Sequence, residues 1–185
     1  GYTRLSLRAN IDYNVSDKLV LGVNINPVFN KWKYEETEGH YESSILTTAL
    51  LLSPLVPVYQ PDGSLTKHVT STDTFDSGNP INILKNTKNK TDELRLLING
   101  FVEFKPIKNL SVKSTYNIDT RRYQNDYFAP SFIGAMRNPP PQPASGSLST
   151  SKTYDWLLEN TINYQVKIAD HKFSALGVMS LQKND

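Results

Sequence analysis

The sequence has no cysteine in its 185 residues. That removes thiol catalysis, cysteine-based zinc sites and disulfide scaffolding together. It also lacks an excess of charge, with 20 Lys and Arg against 18 Asp and Glu and a formal net charge of +2. A polyanionic partner is not implied, and no nucleic acid is expected. Long apolar runs are missing as well. The longest is Ala49-Leu50-Leu51-Leu52, far short of the ~20 residues a membrane-spanning helix needs. Hydrophobic residues make up 38% before the 9 glycines are added, a little under the roughly 45–50% usual on a scale that includes glycine. None of these absences excludes a membrane β-barrel, in which apolar residues fall at every second position and average out. The sequence opens on Gly1, so an export signal is expected to be removed or to lie outside this stretch.

What is present is a period of two. In RLSLRANIDY, Leu5, Leu7, Ala9, Ile11 and Tyr13 alternate with Arg4, Ser6, Arg8, Asn10 and Asp12. Such alternation is a strand with one apolar and one wet face. After the turn VSDK it returns, with Leu19, Leu21, Val23 and Ile25 opposing Gly22, Asn24 and Asn26. Pro27 blurs the phase before Phe29, Trp32 and Tyr34. A second hairpin sets Leu94, Leu96, Ile98, Val102 and Phe104 against Arg95, Leu97, Asn99, Phe101 and Glu103. The turn PIKN then leads to Leu110, Val112, Tyr116 and Ile118, facing away from Lys113, Thr115, Asn117, Asp119 and Arg121. A third hairpin joins Tyr154, Trp156, Leu158, Ile162 and Tyr164 to Phe173, Ala175, Met179 and Leu181. Its last strand is the least regular, because Leu176 and Val178 fall on the wet face.

The spacing predicts an all-β, antiparallel, up-and-down sheet of about six long strands, near 2–13, 19–34, 92–104, 110–123, 151–164 and 171–183. Strands this long exceed the usual mode of ~5–6 residues. Connections alternate between short turns and long loops near 35–91 and 124–150. Outer-membrane barrels show that asymmetry between their rims. Aromatic residues fit the same picture. Tyr13, Phe104 and Tyr164 precede the short turns, and Tyr2, Trp32, Tyr34, Tyr123, Tyr127, Phe128, Tyr154 and Trp156 gather where strands meet the long loops. Amphipathic rings prefer the boundary of headgroup and hydrocarbon. A soluble sandwich is the competing architecture, with the same aromatics packed in a core.

The first long loop carries Ile45, Leu46, Ala49, Leu50 and Leu52. This spacing predicts a short helix capped near Ser43 or Ser44 and stopped by Pro54 and Pro57, with Pro61-Asp62-Gly63 as a turn. Its apolar side is expected to pack on the barrel mouth, on a partner, or within its own loop. NPPPQPASGS, at 138–147, reads as a stiff loop rather than a polyproline ligand.

Residue patterns that carry catalytic or metal chemistry are sparse. Glu36, Glu38, His40 and Glu42 alternate, but read better as a solvated acidic loop than as metal ligands. Asp155 and Glu159 share a wet face without establishing a glycosidase pair. No GxSxG, HExxH or phosphate loop is present. The chain is therefore not read as an enzyme, and no cofactor or metal is expected. Binding candidates are the wet-face residues Arg8, Asn24, Arg95, Asn117, Asp119 and Glu159, with Asn10, Asn99 and Asn163. They point into a lumen if the apolar face meets lipid. Tyr59, Tyr123 and Tyr127 are loop aromatics suited to stacking on a sugar ring, although girdle or loop packing is the better reading of each.

Several stretches resemble a known family. RLSLRANIDYNVSDKLVLGVNIN, ILTTALLLSPLVPVYQPDGS, NPINILKNTKNKTDELRLLINGFVEFKPIKNLSVKSTYNID, NDYFAPS and WLLENTINYQ, in this order, look like the barrel of SusC/RagA-type TonB-linked outer-membrane transporters. The resemblance implies a plugged barrel of roughly 22 strands in the outer membrane of a Bacteroidetes-type bacterium. It implies import of oligosaccharides or peptides, powered through the TonB complex, under a SusD-like surface lipoprotein acting as lid. Six strands cannot close around a plug, and no plug domain or TonB-contacting box is visible. The expectation is thus a barrel fragment with its plug domain absent. The alternative is a β-rich surface binding or adhesion module without transport activity.

Overall fold

The computed structural model describes residues 1–35, 45–69, 77–133 and 140–185. The elements are β1 (Tyr2–Ser6), β2 (Ala9–Ser16), β3 (Leu19–Lys33), α1 (Ile45–Leu51), β4 (His68–Val69), β5 (Ser77–Gly78), α2 (Pro80–Asn86), β6 (Lys88–Ile107), β7 (Leu110–Ala129), β8 (Ser145–Ile168) and β9 (His171–Lys183). The long strands form one sheet in the order β1-β3-β6-β7-β8-β9, with β2 also paired to β3. The short strands β4 and β5 make a separate antiparallel pair. β1 and β2 share one partner, so they are one interrupted strand, and the sheet has the six long strands that the alternation predicts.

The interruption has a visible cause. β2 pairs with the first half of β3, from Ser16↔Leu19 to Ala9↔Ile25. Pairing then fails at Leu7 and Arg8, next to Pro27. Proline has no N–H to give a ladder, although its carbonyl still accepts from Leu7 N at 3.1 Å. Pro27 breaks the neighbouring strand and leaves the phase of its own strand unchanged. Asn24 and Asn30, on either side of it, bond to Asn99 and Glu93, which are also six residues apart.

The three hairpins turn within two residues each, at Asp17-Lys18, Lys108-Asn109 and Ala169-Asp170. Ala169 takes φ 53°, a left-handed conformation in tight turns of this kind. Adjacent hairpins are stitched together at this rim. Lys105 N donates to Lys18 O at 2.7 Å, and Gln165 N donates to Asn109 O at 2.9 Å. At the other end the strands continue further than expected. β7 extends to Ala129, β8 starts at Ser145, and β8 alone has 24 residues. That is more than twice the ~9–11 residues that cross hydrocarbon.

A second layer is absent among the described residues. Leu5, Leu7, Ile11 and Tyr13 are 55%, 57%, 66% and 63% exposed, and among the described residues Val28 is the one buried hydrophobic side chain. A soluble sandwich would place that face between its sheets. The apolar face stands open along every long strand, with Val23, Ile25, Val102, Ile162 and Met179 all exposed.

Contacts divide the chain into two units, one of Thr3–Asn30, Asp92–Tyr123 and Thr150–Asp185, the other of Gly1–Tyr2, Lys31–Thr91 and Gln124–Ser149. The second unit holds both helices. α1 forms within the expected stretch, with its expected caps Ser43 and Ser44 outside the described residues. It turns Thr48 inward and leaves Leu46 and Leu50 exposed. α2 was not anticipated, although Asn79-Pro80 carries its signal: an N-cap side chain followed by proline at the first helical position. Asn79 Oδ1 accepts from Ile81 N at 3.0 Å while its Nδ2 donates to Val58 O at 3.0 Å. One buried side chain thus caps the helix and holds the preceding loop. Asn79→Ala is expected to cost about 1 kcal/mol, read as faster amide exchange at Ile81 and earlier proteolysis near Val58.

The turn at Pro61-Asp62-Gly63 forms as its residues dictate. Gly63 adopts φ 81°, and Asp62 Oδ1 accepts from Ser64 N at 2.9 Å and Ser64 Oγ at 2.6 Å. Those two bonds hold the Asp62 carboxyl below the usual carboxylate range.

Candidate functional site: the polar face of the sheet

Strand alternation sends Asn24, Asn99 and Asn117 to the face opposite the apolar one, and the sheet register brings them into line. Asn24 Nδ2 donates to Asn99 Oδ1 at 2.9 Å. Asn99 Nδ2 donates to Asn117 Oδ1 at 2.6 Å, and Asn117 Nδ2 reaches Leu157 O at 3.5 Å. The result is an amide ladder across β3, β6, β7 and β8. Asn99 is its hinge, accepting from one neighbour and donating to the other. Its truncation leaves a donor and an acceptor unmatched on a part-buried surface. Asn99→Ala is therefore expected to cost about 1–2 kcal/mol, and less than additively when combined with Asn117→Ala, as a double-mutant denaturation cycle would show.

Charged pairs flank the ladder. Arg95 forks onto Asp119, with Nε to Oδ1 at 2.9 Å and Nη2 to Oδ2 at 2.5 Å. Arg121 pairs with Glu93, whose side chain is only 9% exposed and also accepts from Asn30 Nδ2 at 2.8 Å. Both pairs bridge β6 and β7 with opposite polarity, so the face carries strong local dipoles and little net charge. These pairs are partly solvated, so each fixes side-chain direction more than it stabilises the fold.

A depression of about 520 Å³ lies on this face, and its lining includes Arg8, Asn10, Asn24, Asn99, Asn117 and Asp119. Of the sequence candidates, Arg8, Asn24, Asn117 and Asp119 line it directly. Arg95 stands beside it, held by Asp119. Glu159 lies outside it, across from Ser180 on β9. Asn163 lines a smaller depression nearer the short turns. Asn26, Asp155 and Gln182 also line the large depression. Strand parity marks Asn26 and Asp155 as wet, and the same parity on β9 puts Gln182 on that face, where the register sets it opposite Leu157.

The loop aromatics are placed separately. Tyr59 is 51% exposed and receives Lys85 Nζ at its hydroxyl, 3.4 Å away. Tyr123 is half-buried on β7 in the phase of Asn117 and Asp119, and Tyr127 is half-buried near the end of that strand. The acidic group Glu36, Glu38, His40 and Glu42 lies outside the described residues. Among the described residues there is no cluster of metal-ligating side chains.

Alternation along β6 places Phe101 on the polar face. Its ring covers Gly22 on the adjacent strand, where an added Cβ would collide with Cε1 and Cζ and lie 2.6 Å from Asp12 Oδ1. Lys113 Nζ lies over that ring, 4.1 Å from its centroid.

No family model matches the chain. Over 99% of its length the chain is 27% identical to the TonB-dependent receptor P26 of Formosa agariphila, covering 18% of that protein. Its fold matches two structures of the RagAB peptide importer. In the 'open-open' state the TM-score is 0.74 at 18% identity, and in the 'closed-closed' state it is 0.70 at 16% identity. Each match takes in 99% of this chain and 21% of the importer chain. The chain thus spans about a fifth of the length of these relatives and shares the fold of that part of the RagAB structures.

Proposed function

We propose that this chain forms a wall segment of a TonB-dependent outer-membrane importer, with its exposed apolar face toward lipid and its asparagine-lined face toward the lumen. The observation that carries the reading is a long-stranded sheet with no second layer on its apolar face among the described residues, apolar on that face and amide-lined on the other. The fold likeness to the RagAB importer over nearly the whole chain supports it. So does the likeness to a TonB-dependent receptor.

The polar face suits a neutral, hydrogen-bonding solute. Amides that donate and accept, beside charge pairs that cancel, match sugar hydroxyls or peptide amides better than an ion. An oligosaccharide or a peptide is therefore the proposed cargo, with Arg8, Asn24, Asn117 and Asp119 as contacts and Arg95 as support. Glu159 is retained as a weaker contact nearer β9, and Tyr59, Tyr123 and Tyr127 as stacking surfaces. A SusD-like lipoprotein is the proposed lid. The exposed Leu46, Leu50 and Leu55 offer an apolar surface for it. Energy coupling through the TonB complex belongs to the plug, which the proposal places elsewhere in the importer.

The absence of cysteine from these 185 residues simplifies a direct test. Single variants Ile11→Cys, Val23→Cys, Asn24→Cys and Asn99→Cys are labelled in intact outer membranes on an otherwise cysteine-free full-length chain. Lipid-soluble maleimide is expected to react at positions 11 and 23, and charged aqueous maleimide at positions 24 and 99. A surface adhesion module would expose all four to the aqueous reagent, which would overturn the importer reading.

A further inference from the structure

Toward the long-loop end of the sheet, the apolar face turns basic. On β8 that face runs apolar from Tyr154 to Tyr164, 11 residues, a length that crosses hydrocarbon, ~9–11 residues. Lys152 is the next side chain beyond Tyr154 on the same face. On β7 the change falls at Arg122. Its neighbour Arg121 bonds Glu93 on the polar face, so strand parity turns Arg122 to the apolar one. The register of β7 on β8 is set by Gln165 N donating to Asn109 O at 2.9 Å and by Asn117 Nδ2 reaching Leu157 O at 3.5 Å. It places Arg122 across from Lys152. Both are exposed, and like charges directly opposed repel. Asp92, next to Glu93 on β6, faces Arg122 from the other flank, but among the described residues Arg122 forms no ion pair. Lys183, opposite Trp156 on β9, is held by Asp185 at 2.8 Å. The opposed pair therefore keeps one cation in excess at the border of the apolar band.

An aromatic shelf adjoins these cations on the same face. The rings of Tyr116 and Trp156 stand 6.0 Å apart at 34°, and the Tyr116 and Tyr154 hydroxyls hydrogen-bond to each other. Tyr154 thus reaches along the face, away from Lys152 and toward the apolar band. With their polar tips satisfied by one another, Tyr116 and Tyr154 present flat rings, and both remain exposed. Such rings pack well against hydrocarbon chains. Cations stand at one end of the patch and paired aromatics at the other.

We infer that this patch binds a phosphorylated glycolipid of the outer leaflet, its phosphate between Arg122 and Lys152 and an acyl chain along Tyr154, Trp156 and Tyr116. The inference rests on the wall reading, because it needs the apolar face to meet lipid. The long loops of outer-membrane barrels are extracellular, so a headgroup at this level belongs to the outer leaflet, where phosphorylated glycolipid is the principal lipid. A phosphate relieves the opposed cations by charge-assisted hydrogen bonds. A lipid without phosphate would leave Arg122 and Lys152 opposed, and free phosphate would leave the rings bare. A phosphorylated lipid covers both.

The test is native mass spectrometry of the full-length chain in detergent, titrated with lipid A, with dephosphorylated lipid A and with phosphatidylglycerol. Lipid A is expected to bind the unmodified chain about tenfold or more tighter than the variant Arg122→Gln/Lys152→Gln. The unmodified chain should lose a similar factor when the lipid A phosphates are removed, whereas the variant should not distinguish the two forms. Trp156→Ala is expected to weaken both forms alike. Heat-modifiable migration shows that each variant is an assembled barrel, and Lys152→Gln alone, with a smaller loss, serves if the double variant does not assemble. Equal affinity of the unmodified chain and the assembled variant for lipid A would overturn the inference. Phosphatidylglycerol binding as tightly as lipid A would reduce the patch to a general attraction for anionic lipid and overturn it too. Complete displacement of lipid A by inorganic phosphate would do the same. The maleimide pattern separates the two levels. If positions 11 and 23 label from water, the wall reading fails. If they label from lipid while the variant binds lipid A unchanged, only the glycolipid site fails.

Discussion

Replacing Ile25 by arginine is expected to destabilise the membrane-embedded barrel by about 2–4 kcal/mol, the cost of a cation on a lipid-facing strand near the bilayer midplane. Replacing its neighbour Asn26 is expected to change stability by about 0.5 kcal/mol or less, as at an ordinary solvated surface. Ile25 is 38% exposed on the apolar face and pairs with Ala9. It lies between Tyr13, which precedes one short turn, and the pair Tyr2 and Trp32, whose rings meet at 6.3 Å near the opposite strand end. If those aromatic levels mark the two interfaces, Ile25 is close to midway. Asn26 points the other way and lines the polar depression. In water the two substitutions would differ little, because both replace partly exposed residues of one strand. The difference between them is therefore a measurement of the solvent on each face. Urea titration of the full-length chain folded into phospholipid vesicles provides it. Equal costs at the two positions would sink the proposed wall.

Why the faces could be read in advance and the site could not follows from what each depends on. A face needs only the parity of one strand, and parity survives distant uncertainty. Leu5, Leu7, Ile11 and Tyr13 fall on one side whatever their neighbours do. The amide ladder depends on register between strands far apart in sequence, since Asn24 meets Asn99 and Asn99 meets Asn117. Alternation within one strand cannot supply that offset. Glu159 shows the same limit. Its parity makes it wet, but its position along β8 leaves it across from Ser180 and away from the depression.

Local chemistry was legible where a single residue decides it. Gly63 in the left-handed region and Pro61 ahead of it produce the turn they imply. The same logic was available at Asn79-Pro80, where α2 begins, yet weak periodicity in the short stretch after it hid the helix. α1 shows the opposite failure. Its apolar spacing located the helix, but Thr48 faces inward and Leu50 is 78% exposed. Spacing predicts that a helix has two sides without saying which side its surroundings will cover. Pro27 carries a related lesson. Its missing N–H mattered to the partner strand, between β1 and β2, and the phase on β3 ran through unchanged.

Gly22→Val is expected to cost about 1–3 kcal/mol, the usual range for forcing a side chain into filled space, although valine favours strands over glycine. The space above Gly22 is taken by Phe101, with Asp12, its cross-strand partner, close on the other side. The ring is also held by Lys113, so it cannot swing aside without giving up a cation–π contact worth about 0.5–1 kcal/mol at an exposed site. Removing the ring by Phe101→Ala forfeits that contact and uncovers the glycine. Combining the two substitutions places the valine side chain where the ring had been. The double variant is accordingly expected to be more stable than the sum of the single effects predicts, by about 1 kcal/mol or more. Denaturant midpoints for the four chains in vesicles close the cycle. Strict additivity would mean that Phe101 does not occupy the space above Gly22, and the glycine would then need no packing reason at that position. A positive coupling would make the pair a small interlock between β3 and β6, one that pins their register beside the amide ladder.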